Sequence, residues 1–244
     1  MNTLRVATYN IHKGVQGLGP RRRLEIHNLG LAIEQFDADV VCLQEVRKVH
    51  RREAHYFTHW PALPQADFLA PEGYHAVYRT NAYTRHGEHG NALLSRWPVL
   101  DHQHEDMSDH RFEQRGLLHS ELLVHDIPVH VIVVHLGLIR PSRLRQLAQL
   151  RRYIAREVPS DAPVLVAGDF NDGRALVARE LAGSGLQSFD GASSPTFPAR
   201  LPLVQLDHVF ARGLRPVGAQ VMRGRIWWRM SDHLPLLAEF ALPD

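Results

Sequence analysis

Cysteine and lysine are nearly missing from this 244-residue chain: Cys42 is the one thiol, and Lys13 and Lys48 are the only lysines. A lone cysteine excludes an intramolecular disulfide framework and a cysteine-built zinc centre. It lies in the apolar run VVCL and reads as a buried structural thiol. Long hydrophobic runs are missing as well, and none approaches the roughly 18 apolar residues of a membrane span. The N-terminus enters a strand-like segment with no basic stretch and apolar core ahead of it, so no signal peptide is expected and the protein is expected to be soluble and cytoplasmic. An excess of one charge sign is absent too, since 28 basic against 26 acidic residues leave +2 with histidine neutral. That excludes a polycation but not a nucleic-acid substrate, because the distribution of charge matters more than its sum.

Arginine and histidine are what the chain does hold. The 28 basic residues less two lysines leave 26 arginines, beside 17 histidines. Two readings stand for the arginines, the codon composition of a GC-rich genome and recognition of phosphate by guanidinium groups. With 44% hydrophobic residues, a chain of this length can bury one sizeable core, so residues 1–244 are expected to form a single domain. No motif demands a protein partner, and a monomer is expected.

Short β-branched and apolar runs recur along the chain at 4–11, 39–43, 74–79, 91–95, 117–124, 129–135, 164–167, 206–211 and 234–240, and these predict strands. Ile26, Leu29, Ile33 and Phe36 fall on one helical face, as do Leu147, Leu150, Ile154 and Val158 before Pro159 stops the pattern. A third helix is predicted from about 174 to 181. Helices set among strand pairs short enough for hairpins predict an α/β or α+β layered fold, with two sheets face to face and helices outside. Residues 46–90 and 101–116 resist assignment and read as long loops, of a length that is usually functional or disordered. Both halves open with a strand ending in acids or amides, a hint of a duplicated layer.

Polar groups repeatedly sit at the ends of apolar strands. Tyr9-Asn10 follows LRVAT, Gln44-Glu45 follows VVCL, His135 ends HVIVV, and Asp169-Phe170-Asn171 follows VLVAG. Asp207 opens LDHVF, and Ser231-Asp232-His233 precedes LPLLAEF. Any one of these could be a strand terminus reaching water. Strand ends of neighbouring strands converge, however, and together the six points predict an acidic cleft suited to a hard cation.

The ordered set TYNIHKG, LQEV, GNALLSRWPV, VHLGL, GDFND, LDHV and SDHLPL resembles the endonuclease/exonuclease/phosphatase superfamily of DNase I-like enzymes, over residues 5–240. The resemblance implies a four-layer α/β/β/α sandwich of two mixed β-sheets flanked by helices. It implies a metal-dependent phosphoesterase, with Glu45 as ligand to the catalytic Mg2+ or Mn2+, Asn10 beside it and Asp232 as a further ligand. Asp169 would orient and deprotonate the attacking water, and Asn171 would hold that water or a nonbridging oxygen. His233 would stabilise the charge that develops at phosphorus, with Asp207 fixing its tautomer and favouring its imidazolium. His135 would contact the scissile phosphate, and Asn91 and Arg115 would lie near the cleft as substrate-binding residues.

Two positions depart from the pattern. Many relatives carry an acid where this chain has His12, which removes one metal contact. His208 follows Asp207 where relatives often have Tyr or Arg, and both a packed strand histidine and a substrate contact fit it. Decoys surround the motifs: Asp-His occurs four times, whereas 14 Asp and 17 His in 244 positions predict about one. Ser108-Asp109-His110 repeats the SDH triplet but lies in a polar segment with no apolar strand after it, so a solvated loop is expected there. His86 and His89 in HGEH are also assigned to a loop, because Gly87 and Gly90 flank them. Arg140, Arg143 and Arg145 open the second long helix, where their guanidinium groups could bind phosphate and a solvated face is the simpler reading for at least two of the three. Tyr83, Trp97, Trp227 and Trp228 could stack on a base or pack in the core; the tandem pair, taken as extended, must point one ring away from the core. The substrate expected is a phosphodiester, with nucleic acid first and a lipid or small-molecule ester as the alternative. A binding scaffold that had lost its chemistry would have lost some of Glu45, Asp169, Asn171, Asp232 and His233, and all are present.

Overall fold

Two strand pairs that run parallel, each closed by a helix, organise the molecule. The computed structural model describes residues 2–173, 176–189 and 194–243. The chain begins with β1 (Thr3–Asn10), a small antiparallel pair of two-residue strands β2 (Val15–Gln16) and β3 (Arg23–Leu24), α1 (Ile26–Glu34) and β4 (Val40–Val46). Next come α2 (Arg51–Tyr56), α3 (Gln65–Leu69) and the hairpin of β5 (His75–Thr84) and β6 (Gly87–Ser95). The second half runs through β7 (Val99–Asp106), β8 (Gly116–Val124), β9 (Ile127–His135), α4 (Arg140–Glu157), β10 (Val164–Asp169), α5 (Leu176–Ala182) and β11 (Asp207–Arg212). Finally β12 (Arg215–Val221), the single turn α6 (Trp227–Met230) and β13 (Leu236–Ala241) return to the first sheet.

The first sheet has the order β12-β13-β1-β4-β6-β5 and the second β11-β10-β9-β8-β7. Each contains one parallel pair, β1/β4 and β9/β10, among antiparallel neighbours. The central strands read as unbroken apolar runs because both their faces are buried. Val6, Val40, Cys42 and Leu93 of the first sheet meet Leu118, Val131, Val133 and Leu165 of the second. On the outer faces, Ala7, Tyr9, Val41 and Leu43 pack with Ile26, Leu29 and Ile33 of α1, while Ile132, Val134, Val164 and Val166 pack with Leu147, Leu150 and Ile154 of α4. The result is the expected α/β/β/α sandwich. Truncating a central residue such as Leu165 to alanine would cost about 2–5 kcal/mol. Cys42 is fully buried, and burial pushes its thiol well above the usual range.

Several expectations are corrected. Residues 46–90 are not one long loop but hold α2, α3 and β5, and β5 reaches Thr84, five residues past the apolar signal. All of 101–106 belongs to β7, and β12 gave no signal at all. β5, β7 and β12 are three of the four edge strands of the two large sheets, where one face and one side of the strand meet water and polar residues are tolerated. His89, assigned to a loop, lies on β6, and Trp227-Trp228 form a helical turn in place of an extended segment. Trp227 stacks on Phe36 at 5.5 Å and Trp228 lies under Arg200, so both rings have packing partners. The third helix starts at Leu176, and position 174 lies outside the described residues.

Candidate active site

The two parallel pairs end in register. Asn10 on β1 lies opposite Gln44 on β4, and His135 on β9 lies opposite Asp169 on β10, which in turn lies opposite Asp207 on β11. Carboxyl ends of neighbouring parallel strands are where α/β sheets present ligand-binding groups. Two local devices aim the side chains. The β4/β6 register jumps between Leu43 and Val46, a bulge that places Glu45 at φ 58° and turns its carboxylate toward the cleft. At Gly168, with φ 151°, an added Cβ would lie 1.9 Å from the Val134 carbonyl oxygen, so only glycine lets β10 run this close to β9 just before Asp169.

Asp169 is the meeting point. Its Oδ2 accepts from Asn10 Nδ2 at 3.0 Å and lies 3.5 Å from His135 Nε2 and 3.6 Å from His233 Nε2. Its Oδ1 accepts from the backbone N–H of Asn171 at 2.9 Å. Asn171, held at φ 51°, donates its amide to the Leu136 carbonyl. Behind His233, Asp207 Oδ2 lies 2.8 Å from Nδ1 and accepts from Thr196 Oγ1 at 2.6 Å.

The two histidines have opposite tendencies. Burial would push the His233 imidazole down, but the carboxylates of Asp207 and Asp169, with the Asp207 hydrogen bond and Asp232 beyond, outweigh it and push the ring up to about 10. His135 is pushed down to about 4 by burial and by the Arg115 guanidinium, which the Asp169 and Glu45 carboxylates only partly offset. At neutral pH one ring is therefore a cation and the other neutral, the separation of roles expected of an acid–base site.

At the mouth, Glu45 and Asp232 form a second carboxylate group. His12 Nδ1 lies 3.2 Å from Asp232 Oδ1 and 4.0 Å from Glu45 Oε2, so both acids converge on one spot. Lys13 Nζ donates to Glu45 Oε2 at 2.5 Å. Burial opposes ionisation of Glu45, but the charges of Lys13, His135 and His12 hold it below the usual carboxylate range. Asp232 is likewise held low, its burial outweighed by His12 and His233. These hard carboxylate oxygens fit a divalent cation of the magnesium type; Asn10 Oδ1 accepts from the His12 backbone N–H at 3.1 Å. Asp169, Asp207 and His233 also bring ligand atoms within 4.8 Å of one another. That group suits a cation less well, because both ring nitrogens of His233 already face carboxylates and Asp207 Oδ2 is shared with Thr196.

Asn10, Glu45, His135, Asp169, Asn171, Asp207, Asp232 and His233 thus come together. Arg115 lies beside His135, but its guanidinium donates to the carbonyls of Leu136 and Gln114 and to Glu113. Asn91 is fully buried and joins the sheets, donating to the carbonyls of Gly116 and Val133, so no atom of it reaches the cleft surface. His208 is a packed strand histidine between Phe170 and Phe210, with Nε2 at the Asp172 carbonyl. Asp109 of the decoy SDH is held by Ser142 and Arg145 of α4. Sequence reasoning missed Lys13, although it lies within the TYNIHKG motif of Asn10, and Thr196, which carries no local signal. It also set aside His89, whose ring is pushed down to about 4 by burial and by Lys13.

The family model described as "Endonuclease/Exonuclease/phosphatase family" matches residues 7–233. The Escherichia coli K12 protein YbhP is 36% identical over 248 residues, covering 98% of this chain and 97% of its own. An endonuclease/exonuclease/phosphatase from Beutenbergia cavernae superposes with a TM-score of 0.79 at 22% identity, covering 99% of this chain and 72% of that one. The catalytic domain of human nocturnin, solved with a bound sulfate anion, superposes with a TM-score of 0.73 at 22% identity over 99% and 94% of the two chains.

Proposed function

The chain belongs to the endonuclease/exonuclease/phosphatase family, and from that premise we propose that it hydrolyses a phosphodiester by in-line attack of a water activated by Asp169, with a nucleic-acid strand as substrate. Members of the family are phosphoester hydrolases and generally depend on a divalent metal. The observation that carries the reading is the convergence on Asp169 Oδ2 of Asn10, His135 and His233 beside the Glu45 and Asp232 carboxylates.

Asp169 takes a proton from water as the oxygen attacks phosphorus. The bond to the leaving oxygen breaks on the opposite side, and that oxygen leaves protonated from solvent or a neighbouring acid. Asn171 holds the water against Asp169, and Asn10 orients the Asp169 carboxylate. His233, kept an imidazolium by Asp207, donates to a phosphoryl oxygen as negative charge builds there. His135, neutral, donates to the same phosphoryl group without competing for the proton on Asp169. A divalent cation held by Glu45 and Asp232, with Asn10 alongside, would neutralise charge on a nonbridging oxygen and on the leaving oxygen.

A nucleic-acid strand is supported by two exposed aromatics, Phe112 on the segment that carries Arg115 and Tyr83 on β5 beside it. Phe112 is exposed under the Arg111 guanidinium at 4.7 Å, and the backbone N–H of Tyr83, also exposed, donates to Gln114. Exposed rings beside a phosphate site suit stacking on bases. A lipid phosphodiester is the second reading, favoured by the exposed Leu138 and Ile139 two and three residues beyond Leu136, and by exposed Leu201 and Leu203. The test is a panel of single-stranded DNA, abasic duplex, RNA, sphingomyelin-type lipid and inositol phosphate, assayed with magnesium beside Asp169→Ala. Turnover of nucleic acid that the variant loses supports the reading. Turnover of lipid alone replaces the substrate class, and activity kept by Asp169→Ala removes the base assignment.

A further inference from the structure

The turn that follows β1 is built in an unusual way. His12, Lys13 and Gly14 take φ of 45°, 63° and 70°, so two side-chain-bearing residues in a row occupy the left-handed region. Three backbone hydrogen bonds and one from a side chain hold it there. Ile11 N donates to Gln44 O at 3.1 Å, Gly14 N to Ile11 O at 2.9 Å, and Glu25 N to Gly14 O at 2.9 Å. Gln65 Nε2 donates to Lys13 O at 2.9 Å, and Gln65 is itself anchored by the Arg47 N–H. An added Cβ at Gly14 would lie 2.9 Å from Gln65 Nε2, so the clamp needs glycine there.

This backbone sends His12 and Lys13 toward the same two carboxylates. His12 pairs with Asp232, and Lys13 Nζ lies 2.5 Å from Glu45 Oε2. Lys13 is one of two lysines in a chain with 26 arginines. The two cations differ: a guanidinium locks a carboxylate through a planar fork, whereas an ammonium is a compact charge on a flexible stem that can change partners.

On the reading of the site given above, we propose that the Lys13 ammonium and a divalent cation compete for Glu45 Oε2, and that metal binding displaces the ammonium onto a phosphoryl oxygen of the substrate. Lys13 is then a phosphate-binding residue whose ion pair with Glu45 weakens metal affinity until substrate arrives. Metal and phosphate consequently bind with positive coupling, because phosphate provides the displaced ammonium with a new partner.

The experiment is calorimetric titration with Mn2+, with and without inorganic phosphate, on the full chain and on Lys13→Met, Lys13→Gln and Glu45→Gln. Removing the ammonium is expected to tighten Mn2+ binding roughly tenfold and to abolish the gain in Mn2+ affinity that phosphate gives the unmodified chain. Lys13→Gln, which keeps a polar side chain, serves the same comparison if Lys13→Met fails to fold by circular dichroism. Mn2+ affinity unchanged or weakened in both Lys13 variants overturns the proposal while leaving the metal site intact. Absence of Mn2+ binding by the unmodified chain, or binding that Glu45→Gln leaves unchanged, overturns the proposal together with the site assignment beneath it.

Discussion

β1–α1–β4 and β9–α4–β10 are the same device used twice: a parallel pair, a helix packed on the outer face, and polar residues at the carboxyl end. What differs is how water reaches those ends. In the second half, the Asp169 and His135 side chains are 2% and 6% exposed and Asp207 is fully buried. At the first, Glu45 is 16% exposed, and its companions Asp232 and His12 are 40% and 38% exposed. A hard cation that keeps several waters needs the open end. Proton transfer governed by fixed neighbours gains from the closed one, where charges act through less solvent. On the function proposed above, the corresponding strand ends would thus serve metal binding in one half and acid–base chemistry in the other.

The contrast can be broken most severely at the closed end. Asp169→Ala is expected to lower kcat by about 10²–10⁴ with magnesium present, since a positioned base contributes on that scale. Single-turnover rates on the substrate found in the panel would measure it. At the open end, Glu45→Gln is expected to weaken cation binding by roughly 30- to 100-fold while leaving the shape of the pH–rate profile intact. Titration with Mn2+ and a pH series on the saturated variant would read the two effects separately.

Asp207→Asn tests the charge that sustains the imidazolium. His233 sits at about 10 in the folded protein and at its ordinary value near 6.5 when unfolded. The protonated ring therefore adds to stability fully below about pH 6.5, and that contribution is lost as pH rises through about 10. Removing the Asp207 charge should move the basic limb of kcat/KM down by roughly 1–3 pH units. A basic limb that stays in place would show that Asp207 does not act through His233. The smallest effect is expected at the joint between the two halves, where Asn91 ties β6 to the carbonyls of Gly116 and Val133. Asn91→Ala should cost about 1–3 kcal/mol and lower the thermal midpoint by roughly 2–12 °C, with far less effect on kcat than on stability.

Legibility in the sequence followed burial. The central strands were readable because being covered on both faces writes a continuous apolar run, and α1 and α4 because one face each is apolar. Edge strands β5, β7 and β12 face water and carry residues such as Asp101, His102, Gln103 and His104, which look like loop. Residues at the carboxyl ends of central strands stood out as polar groups closing apolar runs, so Asn10, Glu45, His135 and Asp169 were visible. Thr196 was not, because its bond to Asp207 spans 11 residues of irregular chain and leaves no periodic trace. Asn91 was visible as a motif residue, but no spacing could reveal that its amide points between the sheets.

The division of labour between the two halves is tested most directly by titrating Asp169→Asn with Mn2+. If the cation belongs to Glu45 and Asp232, this variant binds Mn2+ within roughly threefold of the unmodified chain, as expected for sites acting independently, and turns over substrate about 10²–10⁴ more slowly. A fall in affinity of the size expected for Glu45→Gln would contradict the account and assign the cation to Asp169, Asp207 and His233.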